Sequence, residues 1–235
     1  MRTMTAALLL VAAFFSLTAS GASVQGNVDG TPRKLVILGA SYAGSWGTPP
    51  LPGYEVVNRG VGGDETSGMR TRFQRDVVAA NPDVVLIWGH INNITKRNVA
   101  SATDEQAAAV KNAARADYVA MLQQARAAGI EVILATEVPR SEPAGLVNEV
   151  RGWLGQLLGK ESYSSKVNVH VRELNAFVRQ LAAREKLLLL DFEQVFAPEG
   201  GARKSEYATE DQSHITAAGY QALTDYSVKA LGRSR

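Results

Sequence analysis

A serine placed directly after an apolar run and an aspartate three residues before a histidine are the residues here whose types and spacing could do chemistry. Ser41 follows Lys34-Leu35-Val36-Ile37-Leu38-Gly39-Ala40, and Asp211-Gln212-Ser213-His214 opens the last segment. A serine hydroxyl is a weak nucleophile until a histidine takes its proton. A carboxylate on the other imidazole nitrogen fixes the tautomer and stabilises the cation. Three residues apart on a turn, Asp211 and His214 can face the same way. The chain holds only three histidines, so the pairing is informative. Its chemistry would be acyl transfer through serine. Each point also has a plainer reading: Ser41 as a helix N-cap, and Asp211 as the acidic start of a surface helix. A metal reading of Asp211 and His214 lacks a third convincing ligand.

Acyl transfer also needs donors for a developing oxyanion. Asn58-Arg59-Gly60-Val61-Gly62-Gly63 is a glycine-rich turn able to aim a backbone N–H, and Gly89-His90-Ile91-Asn92-Asn93 offers a side-chain amide. Tight-turn geometry and loop capping are the bland alternatives for these residues. His90, beside Asn92, is a candidate substrate contact or a structural loop histidine. His170, between Val169 and Val171, reads as a helix residue.

The elements that must position these groups alternate along the chain. Continuous apolar runs at Lys34–Gly39, Asp83–Gly89, Gly129–Ala135 and Leu187–Phe192, with a weaker one at Tyr54–Asn58, have the pattern of strands covered on both faces. Helical spacing appears over Glu65–Ala80, Asp104–Ala128, Val167–Lys186 and Ser213–Leu231, where Ser213 could cap the last helix. The alternation predicts an α/β fold with a parallel sheet and helices on both faces. Ligands of such sheets sit beyond the carboxyl ends of the strands, where Ser41, Gly60 and Asn92 all fall. Pro139–Lys166 is long for a connection. Its Trp153, Leu154, Leu157 and Leu158 stand at helical spacing, as a short packing helix or as a flap lining a substrate pocket with Trp153 as a contact.

The 235 residues suit one domain, and a formal charge of +2 gives no reason to expect a nucleic-acid or anionic-membrane partner. Arg2, the apolar Ala6–Ala19 and the small residues Ser20-Gly21-Ala22 have the order of a signal peptide, so 1–22 reads as a leader, 23–32 as a linker and 33–235 as the domain. The apolar stretch is too short to span a bilayer. With no cysteine there are no disulfides, Cys–zinc sites or lipid-attachment cysteine. The expectation is an exported protein, periplasmic or secreted, without stable membrane insertion.

The four separated points together resemble the GDSL/SGNH hydrolase family. Gly39-Ala40-Ser41 looks like its serine block, Gly60 in Asn58–Gly63 its glycine block, and Asn92 in Gly89–Ile94 its asparagine block. Asp211–Thr216, followed by Gly219-Tyr220, looks like its closing block. The resemblance implies a flavodoxin-like three-layer α/β/α fold with a five-stranded parallel sheet. It implies Ser41 as nucleophile, His214 as general base and Asp211 as its orienter, with the Ser41 and Gly60 amides and the Asn92 side chain as oxyanion hole. No metal or organic cofactor is needed. Ala40 and Asn93 stand where the family usually has aspartates, so altered loop hydrogen bonding is expected there. The leading reading is an exported serine esterase acting on small acyl groups, such as acetyl on a carbohydrate. The alternatives are a lysophospholipase or thioesterase, an O-acetyltransferase using the same triad, and a non-catalytic glycan- or protein-binding module.

Overall fold

The computed structural model describes residues 30–142, 161–198 and 201–233. The expected leader, most of the linker and Trp153 with its neighbours lie outside them. Strands β1 (Arg33–Gly39), β2 (Tyr54–Gly60), β3 (Val84–Trp88), β4 (Glu131–Ala135) and β5 (Leu188–Leu190) form one five-stranded, all-parallel sheet ordered β2-β1-β3-β4-β5. Its helices are α1 (Ser41–Trp46), α2 (Thr66–Asp76), α3 (Ile91–Thr95), α4 (Asp104–Ala127), α5 (Tyr163–Glu185), α6 (Phe192–Phe196) and α7 (Ala217–Gly232).

The pleat divides the core in two. Leu35, Ile37, Leu86, Trp88 and Ile133 pack with residues of α1, α6 and α7, among them Trp46, Phe192 and Leu223. Their alternates Val36, Leu38, Val85, Ile87 and Leu134 pack with Met69 and Phe73 of α2, Tyr118 and Met121 of α4 and Val178 of α5. Apolar side chains on both faces explain the uninterrupted hydrophobic runs of β1 and β3, and they produce the three-layer α/β/α architecture. The strand order is flavodoxin-like, and its switch point lies between β1 and β3. Ser41 follows the first of these strands and Asn92 the second.

Helix boundaries follow local chemistry. Thr103 and Gln106 form a reciprocal capping box on α4, and Ser162 accepts the Ser165 amide at 2.9 Å to start α5. The segment read as one helix over Glu65–Ala80 ends at Asp76 and continues as a 3₁₀ turn over Val78–Ala80. The last helix starts at Ala217, not Ser213, because Thr216 caps it through the Gly219 amide at 3.2 Å. The Ser213 amide is already bonded to Asp211 Oδ1. The five-residue α3 and α6 are too short to show a period in sequence. Helix α7 lies against α1: Trp46 Nε1 donates to Thr224 Oγ1 at 3.0 Å, and Tyr220 Oη to the Tyr42 carbonyl at 3.1 Å.

Candidate active site

Ser41 is the first residue of α1. The N-cap is Ala40, no side chain caps the helix, and the half-buried Ser41 forms no side-chain hydrogen bond among the described residues. The capping alternative for Ser41 therefore does not hold. As the first residue of a helix, its N–H has no acceptor within the helix and is available to an anion. Asn58 holds α1 from β2: its Nδ2 donates to the Ala43 carbonyl at 2.7 Å and the Gly47 carbonyl at 2.5 Å. From the other side, Arg72 Nη2 donates to the Gly39 carbonyl at 2.9 Å, two residues before Ser41. The nucleophile candidate thus sits on a short helix fixed at both ends.

The closing block forms a compact turn around one carboxylate. Asp211 Oδ1 accepts from the Thr209 hydroxyl at 2.7 Å, the Ser213 amide at 2.8 Å and the His214 amide at 2.9 Å. Asp211 Oδ2 lies 2.5 Å from His214 Nδ1. Gln212, between them, is left-handed at φ 60°, which lets the turn fold back on its own acid. Burial pulls the Asp211 carboxyl upward, but the bonds from the His214 ring and amide, Thr209 and Ser213 outweigh it and hold the group well below the usual carboxylate range. It is therefore a carboxylate at neutral pH and fixes His214 with Nε2 outward. Both side chains are about half exposed.

Tyr42 brings the two ends of the chain together. Its ring meets the His214 ring edge-on, with centroids 6.3 Å apart, and its hydroxyl donates to the Ser213 carbonyl at 2.7 Å. The residue after the candidate nucleophile therefore touches the candidate base and its turn. No hydrogen bond joins His214 to Ser41 among the described residues. Catalytic hydrogen bonds are often long until substrate binds, and then tighten.

Asn92 lies on α3, whose first amides are held by a buried acid from the end of β4. Glu137 Oε2 accepts the His90 amide at 2.8 Å and the Ile91 amide at 3.1 Å, and Oε1 the Val138 amide at 3.1 Å. Burial nevertheless raises the Glu137 carboxyl above its ordinary value. Asn92 Nδ2 gives one hydrogen to the Asp64 carbonyl at 2.8 Å, which orients the other.

Two sequence expectations are corrected here. The Gly60 amide is not available to an oxyanion, because it donates to Asn58 Oδ1 at 2.8 Å. Gly60 is a glycine for space: a Cβ there would stand 2.1 Å from the Gly44 nitrogen. Further along the loop, the Val61, Asp64, Glu65 and Thr66 amides all have acceptors. Those of Gly62 and Gly63 have none among the described residues. Gly63, half-buried with φ +73°, immediately precedes the Asp64 carbonyl that holds Asn92. Of the three glycines in the run, the sequence reading singled out the one whose amide is occupied. His90, expected as a substrate contact, is 1% exposed. Its Nδ1 lies 3.2 Å from the Tyr118 hydroxyl, which itself donates to the Gly89 carbonyl at 3.1 Å. The ring braces the base of the loop and does not reach the cleft.

Asn93, where an aspartate was expected by resemblance, bonds twice to Thr66. Its Oδ1 accepts the Thr66 amide at 3.1 Å, and its Nδ2 donates to Thr66 Oγ1 at 3.0 Å. That hydroxyl in turn donates to Asp117 Oδ2 at 2.8 Å. An amide suits a partner whose proton is already committed.

Comparison with known proteins bears on the family and the fold. The sequence model of the GDSL-like Lipase/Acylhydrolase family matches residues 16–222. Among solved structures, the chain is similar to a GDSL-like lipase from Bacteroides thetaiotaomicron, with TM-score 0.64 and 21% identity over 86% of this chain and 89% of that one. It is also similar to a catalytic mutant of an acetylxylan esterase from Geobacillus stearothermophilus, with TM-score 0.65 and 18% identity over 86% and 95%. A third similar structure is a putative acylhydrolase from Bacteroides fragilis, with TM-score 0.62 and 23% identity over 87% and 91%. No curated protein matches the sequence.

Proposed function

The chain belongs to the GDSL-like lipase/acylhydrolase family, and on that premise we propose that it is a serine esterase hydrolysing carboxylic esters of small acyl groups. The observation that carries the reading is the Asp211–His214 pair, bonded at 2.5 Å and set against Tyr42, the residue after Ser41. In the proposed reaction Ser41 Oγ attacks the ester carbonyl carbon as His214 Nε2 takes the hydroxyl proton. The oxyanion is received by the Ser41 and Gly63 amides and by the Asn92 Nδ2 hydrogen that Asp64 leaves uncommitted. Collapse expels the alcohol, which takes the proton from His214. Water, deprotonated by His214, then attacks the acyl-serine and releases the acid and Ser41.

Small acyl groups suit a compact chain with a single long connection, Pro139–Lys166, among its strands and helices. One of the similar structures is an acetylxylan esterase, which supports an acetylated carbohydrate as the substrate class. Export belongs to the same proposal and rests on the order of residues in 1–22. The test is nitrophenol release from acetyl, butyryl and dodecanoyl esters by the wild type and Ser41→Ala. We expect acetyl to be fastest and the variant to lose activity by at least about 1000-fold. Equal rates for both proteins would refute the serine mechanism, and fastest turnover of the dodecanoyl ester would refute the small-acyl assignment.

A further inference from the structure

Arg203 is 2% exposed, and no carboxylate lies within salt-bridge distance of it among the described residues. A buried guanidinium is costly unless its donors are used. Here they are directed to the closing turn, to Tyr42 and to the loop after β4. Nη1 donates to the His214 carbonyl at 2.8 Å, Nη2 to the Ser213 carbonyl at 2.6 Å, and Nε to the Pro139 carbonyl at 2.8 Å. Nη2 also lies 3.1 Å from the Tyr42 hydroxyl, which itself donates to the Ser213 carbonyl. The guanidinium carbon stands 5.5 Å above the Tyr42 ring and 5.8 Å above that of Phe196. The Arg203 backbone is tied in as well, its amide bonded to the Arg140 carbonyl at 3.1 Å.

We infer that Arg203 and Tyr42 form a clamp that positions His214 relative to Ser41. The inference rests on the reading of these two residues as base and nucleophile. Asp211 fixes the rotation of the imidazole, but the turn that carries both residues is largely exposed and belongs to no regular element. The Ser141 amide on the Gln212 carbonyl at 3.1 Å and Arg140 Nη2 on the Asp211 carbonyl at 3.3 Å hold the turn to the loop after β4. What ties it to α1 is the fork of Arg203 on two successive carbonyls, together with the Tyr42 hydroxyl on the first. Tyr42 is the next residue after Ser41, so the same side chain references the base to the nucleophile. A planar guanidinium reaches two carbonyls and a hydroxyl at once, whereas an ammonium is a point donor without that fork. Arg203 touches no reacting atom and is a positioning residue.

The test uses the full chain carrying Arg203→Lys, and separately Tyr42→Phe, which removes one oxygen and keeps the ring. Two readouts are taken: kcat and KM on nitrophenyl acetate, and amide hydrogen exchange of residues 209–216. Folded variants are expected to lose about 10- to 100-fold in kcat, as a misplaced catalytic group does. KM should stay within about twofold, and exchange should accelerate in 209–216 with the sheet strands unchanged. Wild-type kcat in both folded variants, or unchanged exchange at 209–216, would overturn the clamp. If the wild type itself does not hydrolyse esters, the esterase reading fails, and the exchange data alone decide the clamp.

Discussion

At the residue scale the site depends on side chains whose second contacts determine their first. Asn92 is the clearest case, because one amide hydrogen is fixed on the Asp64 carbonyl and the other is thereby aimed. Asn92→Ala is expected to lower kcat by about 100- to 1000-fold, the usual cost of one oxyanion donor, with a small change in KM. Steady-state kinetics on nitrophenyl acetate would check it, and a change confined to KM would count against the role. Ser41, Asn92, Asp211 and His214 were recognisable in the sequence as candidates, because serine after a strand, an amide in the loop after another and Asp-x-x-His on a turn require particular residue types. The glycine was not. A backbone donor leaves no trace in residue type, and only the Asn58–Gly60 bond shows which amide is occupied. His90 misled for a related reason: Asn92, two residues on, is half-buried while His90 is 1% exposed, and burial cannot be read from adjacency.

At the element scale, short polar networks lock the loops that follow β1, β2 and β3 to the helices behind them. Asn93, Thr66 and Asp117 form one such chain, donating in a single direction. Asn93→Asp would face the lone pair of Thr66 Oγ1 with a second acceptor, deep inside and close to the Asp117 carboxylate. A loss of about 1–3 kcal/mol follows from an unsatisfied buried acceptor, or a fall of roughly 2–10 °C in Tm for a domain of this size. Thermal unfolding by circular dichroism at neutral pH measures it; an unchanged Tm would contradict the network. The strands and long helices were legible because their periods persist for several turns or alternations. Helices α3 and α6 were not, since each spans about one turn and owes its start to distant partners. Glu137 of the β4 end, far away in sequence, holds the first amides of α3.

At the scale of the whole molecule, burial of ionisable groups ties stability to pH. Desolvation pushes the His90 imidazole down to about 3, against about 6.5 in an unfolded chain. Between those values the unfolded chain binds a proton that the folded protein refuses, so stability falls as pH falls, by about 1.4 kcal/mol per pH unit. The buried Glu137 carboxyl, raised by desolvation, acts with the opposite sign and remains in the comparison that follows. Urea unfolding of the wild type should lose about 2–3 kcal/mol more than His90→Gln between pH 6.5 and 4.5. Equal losses would show that His90 does not govern the acid limb.

A parallel sheet with helices on both faces was foreseeable from alternation, and its flavodoxin-like layering from the family resemblance, but the contact of α7 with α1 was not, because it joins the two ends of the domain. That contact has a consequence in time. Ser41 is synthesised well before His214, and the closing turn is made only after all five strands. On the proposed mechanism an incomplete chain therefore carries a serine with no base. Hydrolysis would then arise only when the closing turn and α7 dock on α1, and a half-made molecule would be silent toward esters.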